Sequence, residues 1–151
     1  ISESDVYAFA GITGDFNPMH VNEQIAKESM FKGRIAHGMI SAGIISTTMT
    51  KAMHGGTPIY CSQELKFKAP VRIGDTITCT ATIIEKIPEK HRLILSTVVT
   101  NQDGVVVTDG KAVMLKSKYT SPKKSAIWET GCGFLYDVVL FLMRIIWQRK
   151  L

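Results

Sequence analysis

The chain has 151 residues and a mass of 16.7 kDa, and is 45% hydrophobic, 21% charged and 8% aromatic. This fits one folded domain and excludes a disordered or fibrous chain. No apolar run reaches the roughly 18 to 20 residues that span a bilayer, and no basic-then-apolar leader opens the sequence. The net charge of +5 is uneven, with 13 basic and 11 acidic side chains in residues 1–120 but five and two in residues 121–151; no Lys/Arg stripe interleaved with aromatics points to nucleic acid.

In chain order, Ser2 and Asp5 form a capping-box pattern, so a short helix starts there. Val6, Phe9 and Ala10 share its face, and Gly11 and Gly14 weaken and end it. Residues Gly14 to His20 read as a loop. Asn22 caps a second short helix carrying Ile25 and Ala26, and Lys32-Gly33-Arg34 is a break.

A helix is expected over Met39 to Met53. It carries no charged residue from Met39 to Thr50, and a helix without a polar face is buried on all sides. At this length it cannot cross a membrane. The cover for it is encoded downstream. Leu65, Phe67 and Ala69 alternate with Glu64, Lys66 and Lys68. Ile77, Cys79, Ala81 and Ile83 alternate with Thr76, Thr78, Thr80 and Thr82. Such period-2 runs are strands. Leu93 to Thr100 and Val105 to Lys116 add two more around the turn at Gln102-Asp103-Gly104. Short turns imply antiparallel pairing. The pattern is α+β, an antiparallel sheet of about four strands wrapped round one buried helix.

Beyond Lys118, Ser121-Pro122-Lys123-Lys124 reads as a boundary. The apolar stretch from Gly131 to Trp147 is interrupted by Asp137 and Arg144. A packing helix, a foreign extension and a helix lying on a membrane surface are the readings for this tail. Cys61, Cys79 and Cys132 are odd in number and lack a C-x-x-C pair. Neither a disulfide framework nor a zinc site is expected from this spacing, and a reducing cytoplasm is the expected compartment.

Two segments can carry chemistry. Asp15 and His20 lie five apart, with Pro18 between them. In a proline-stiffened loop they can converge, and a carboxylate beside an imidazole is a general acid/base pair. The alternative is an Asx-type turn with a solvated histidine. The second segment, Ala36-His37-Gly38-Met39, enters the long helix. The first N–H groups of a helix are unpaired and carry partial positive charge, so a ligand carbonyl held at Gly38 would be polarised as in an oxyanion hole. The alternative is that Gly38 permits tight packing and His37 is a structural boundary residue.

The loop Gly14-Asp15-Phe16-Asn17-Pro18-Met19-His20, together with Gly33-Arg34-Ile35-Ala36-His37-Gly38-Met39 and the run from Phe67 to Asp75, resembles the MaoC-like (R)-specific enoyl-CoA hydratases and 3-hydroxyacyl dehydratases of the hot-dog fold. The resemblance runs over residues 3–118. It implies a hydratase domain over 1–118 and an atypical tail over 119–151, without the segment that usually precedes the first helix. It also implies that Asp15 and His20 activate water, that Asn17 shapes their loop, that the Gly38 N–H binds a thioester carbonyl, and that His37 supports the site. A serine that some members carry is Gly43 here, and Ser41 is not its equivalent. The implied substrate is an acyl thioester of CoA or a carrier protein, no metal or redox cofactor is required, and the implied assembly is a homodimer. The rival activities are thioester hydrolysis by the same fold and acyl-thioester binding without turnover.

Overall fold

A computed structural model describes residues 1–52 and 58–115 and the backbone of residues 143–144. The tail expected over 119–151 lies outside the described residues except for that short strand. Helix α1 (Glu3–Thr13) starts at a complete capping box of Ser2 and Asp5 and ends at Gly14, whose φ of 76° is the left-handed conformation that glycine adopts most readily. Pro18–Val21 forms a one-turn helix, α2, capped by the Asn17 side chain with Pro18 in its first turn. The pattern points to a loop here, but proline at the first helical position has its φ already set. Asn22 caps α3 (Glu23–Glu28) through two N–H groups, those of Gln24 and Ile25.

The long helix α4 spans Gly38–Ala52. Strands β1 (Ile59–Phe67), β2 (Thr78–Ile87), β3 (Arg92–Thr100) and β4 (Val106–Leu115) come next, with β5 (Met143–Arg144) pairing onto β2. The sheet order is β1-β4-β3-β2-β5, and every pairing is antiparallel. Helix α4 packs against β2 and β3. Ile45 and Met49 of α4 enter the core with Val6 of α1 and with Cys79, Leu93, Leu95, Val99, Val107 and Met114 of the sheet.

Three expectations change. The buried positions of α4 are Ser41, Ile45, Thr48, Met49 and Ala52, one stripe at helical spacing. Its opposite face, with Gly43, Ser46, Thr47 and Thr50, is exposed within one chain, because the sheet covers only one side. Phe67, expected to face inward with Leu65, is 54% exposed: β1 is an outer strand with no fully buried residue. The alternation in β2 holds through Cys79 and Ala81, then fails at an irregularity between Ile83 and Glu85 that leaves Ile83 and Ile84 exposed. Gly110 in β4 shows how closely the strands approach. A Cβ there would lie 2.1 Å from the Glu64 carbonyl oxygen, so no larger residue fits without separating β1 from β4.

Cys61 and Cys79 are free thiols, Cys61 exposed and Cys79 buried. Burial pushes the Cys79 thiol above its ordinary value, so it behaves as a small core hydrophobe. Among the described residues no helix is long and apolar enough to cross a membrane.

Candidate active site

The loop between α1 and α2 is built by its own side chains. Asp15 Oδ1 accepts from the Asn17 N–H at 3.2 Å, and Asn17 Oδ1 accepts from the Met19 N–H at 3.0 Å. These successive turns carry the chain from the end of α1 into α2. Asn17 thus shapes the segment that holds Asp15, and His20 stands on α2.

Three side chains meet here, from the loop before α2, from α2 itself and from the residue just before α4. One donor or acceptor atom from each of Asp15, His20 and His37 lies within 4.8 Å of the others. Asp15 is half exposed, whereas the His37 side chain is only 2% exposed. The two imidazoles stack with centroids 3.9 Å apart and a 33° tilt, and Phe9 packs on His37 at 4.8 Å.

The backbone fixes the proton positions. His20 Nδ1 lies 2.8 Å from the Ile35 carbonyl oxygen. A carbonyl only accepts, so Nδ1 carries the hydrogen and the neutral ring keeps Nε2 as its lone-pair nitrogen. By the same argument His37 Nε2 donates to the Asp15 carbonyl oxygen at 2.9 Å. It also lies 4.0 Å from Asp15 Oδ2. His37 Nδ1 is buried and has no hydrogen-bond partner among the described residues. His37 therefore ties the Asp15 backbone to the start of α4 and forms one wall behind the pair. His20 Nε2 and the Asp15 carboxylate are left as the groups able to exchange protons with a ligand.

Gly38 is the first residue of α4 and directly follows His37, and the N–H of a first helical residue has no partner within the helix. Its lack of a side chain has a steric cause. A Cβ would meet the Phe67 ring at 2.9 Å (Cε1) and 3.0 Å (Cδ1). Close packing under the ring is thus one reason for this glycine, whose amide stands at the helix start. The sequence pattern carries no sign of this contact, because residues 38 and 67 lie on different elements.

Arg34 is a second group that the sequence pattern does not reveal, since it marks only a break there. The Arg34 side chain is 15% exposed and paired with Glu3 of α1 and Glu23 of α3. It lies one residue before the carbonyl that orients His20.

The family model described as MaoC like domain matches residues 1–105. The (R)-specific enoyl-CoA hydratase of Rhodospirillum rubrum is 51% identical over 115 residues, which make up 76% of this chain and 79% of that protein. The 3-hydroxybutyryl-CoA dehydratase of Methylorubrum extorquens is 45% identical over 114 residues, 76% of this chain and 72% of that one. Among solved structures, the unliganded R-hydratase PhaJ1 from Pseudomonas aeruginosa superposes with a TM-score of 0.71 at 40% identity, covering 77% of this chain and 74% of its own.

Proposed function

The chain belongs to the MaoC-like domain family, and from that premise we propose that it adds water reversibly across the double bond of trans-2-enoyl thioesters to give (R)-3-hydroxyacyl thioesters. The observation that carries this reading is the Asp15/His20 pair, with the proton of His20 fixed on Nδ1, set beside the helix start at Gly38.

These groups suffice for the chemistry. The thioester carbonyl draws electron density from the alkene, so C3 is electrophilic. The Gly38 N–H and the positive end of α4 stabilise the enolate-like charge that develops on the carbonyl oxygen. Asp15 and His20 hold a water at C3, one group taking its proton and the pair returning a proton to C2. His20 Nε2 is the ring atom available for that exchange. Asn17 and His37 act through the loop, the first by shaping it and the second by tying the Asp15 backbone to α4. The carboxylate and imidazole supply the proton transfers, and CoA or a carrier protein enters as part of the substrate.

Mixing the protein with a short trans-2-enoyl-CoA tests the reading. Loss of the conjugated-enoyl absorbance without release of free thiol is expected. Free thiol would mean hydrolysis, and binding without either signal would mean a non-catalytic module.

The working unit is a homodimer on this proposal. The outer strand β1 exposes Ile59 and Phe67, and the uncovered face of α4 adds Met39; an outer strand with apolar side chains calls for pairing or cover. Sedimentation of the protein at micromolar concentration is expected to give twice the chain mass. A folded, active monomer would contradict this.

A further inference from the structure

Side chains from several elements converge on the segment that connects α3 to α4. Arg34 Nη2 pairs with Glu3 of α1, and Arg34 Nη1 donates to Tyr7 Oη at 3.3 Å. Arg34 Nε donates to Glu23 Oε2 of α3 at 3.2 Å, and its backbone N–H lies 3.4 Å from the same oxygen. From the other side, Arg72 Nη1 donates to the Gly33 carbonyl at 3.3 Å and Nη2 to the Phe31 carbonyl. The chain turns sharply just before this point, through Lys32 at φ 57° and Gly33 at φ 151°.

The residues immediately after Arg34 are the scaffold of both histidines. The Ile35 N–H donates to the Met19 carbonyl at 3.1 Å, the Ile35 carbonyl accepts from His20 Nδ1, and the Ala36 N–H donates to the Val71 carbonyl at 2.8 Å. His37 comes next and holds Asp15. A displacement of residue 35 therefore moves the acceptor that selects the His20 tautomer. A guanidinium suits this position because its planar fork engages two carboxylates and a hydroxyl at once.

We propose that Arg34 is a positioning residue: by joining Glu3, Tyr7 and Glu23 it pins the Ile35 carbonyl, which holds His20 in the Nδ1–H form with Nε2 free. Its effect on turnover rests on the hydratase reading above, while its effect on the His20 tautomer does not.

The test uses protein labelled with 15N at histidine, the His20 signals being identified by their loss in His20→Asn. In the unsubstituted protein the His20 nitrogens should report the Nδ1–H tautomer. In Arg34→Met they should move toward a mixture of the two tautomers. kcat for enoyl-CoA hydration should fall about tenfold or more, since small misplacements of a reacting group are costly, with KM within about twofold, the signature of a lost transition-state interaction. Arg34→Lys, able to pair with one carboxylate but not to fork across two, should fall between. If Arg34→Met does not fold, Glu3→Gln/Glu23→Gln removes both charges with similar shapes and is read in the same way. An unchanged His20 tautomer in a folded variant would overturn the proposal, whatever happened to its melting temperature. A shifted tautomer in a protein whose unsubstituted form hydrates no enoyl thioester would uphold the positioning role and reject the hydratase reading.

Discussion

Asp15→Asn and His20→Asn should each lower kcat for hydration by about 10² to 10⁴, the usual worth of one general acid/base group. The substitutions are chosen so that the loop survives. Asp15 Oδ1 accepts the Asn17 N–H, and an asparagine oxygen can accept the same bond. His20 Nδ1 donates to the Ile35 carbonyl, and the side-chain amide of an asparagine can donate from a similar position. What each variant lacks is the titratable function: a carboxylate in one case, the Nε2 lone pair in the other. The double variant should be little worse than the poorer single, because groups that act as one unit are not additive. Initial rates on a short enoyl-CoA, with circular dichroism to confirm folding, check this. Near-normal turnover in both folded variants would remove the pair from the mechanism.

The second large effect concerns the Gly38 amide. Substitution of Gly38 confounds two things, the loss of the N–H and the collision with Phe67. In a Phe67→Ala background the ring is gone and the two separate. Gly38→Ala then keeps the N–H, and Gly38→Pro removes it. Proline is well tolerated at the first position of a helix, and the extended backbone usual for the residue ahead of it is the one a following proline favours. If the amide stabilises charge on the thioester oxygen, the proline variant should be about 10² to 10³ slower than the alanine variant, the range for loss of one oxyanion donor. Equal rates would leave Gly38 with its packing role alone.

Much of the frame is legible in the sequence because local rules decide it. Ser2 and Asp5 announce the start of α1 and form both capping bonds. Cys79 and Ala81 in β2 and Leu93 and Leu95 in β3 alternate in sequence and are buried in the fold. Asp15 and His20, close in the chain, are legible as a pair. The remainder depends on contacts between distant residues. The uncharged run of α4 says that the helix is apolar, but the sheet decides which side is covered. Phe67 keeps the same period as Leu65, yet it lies at the end of an outer strand and packs on Gly38. His37 reads as a boundary residue until Phe9 and His20 are seen against its ring. Arg34 beside Gly33 has the signature of a turn, and its partners Glu3 and Glu23 lie 31 and 11 residues away. One local signal does mark α2 against the loop expected there: Asn17-Pro18, a cap with a first-turn proline after it.

The configuration at C3 of the product tests the hydration chemistry at Asp15 and His20 most directly. Incubated with trans-2-butenoyl-CoA, the unsubstituted protein should form (R)-3-hydroxybutanoyl-CoA on chiral analysis, and the Asp15→Asn variant should form almost none in the same time. The (S)-product, or free CoA in place of the hydroxyacyl thioester, would contradict the account.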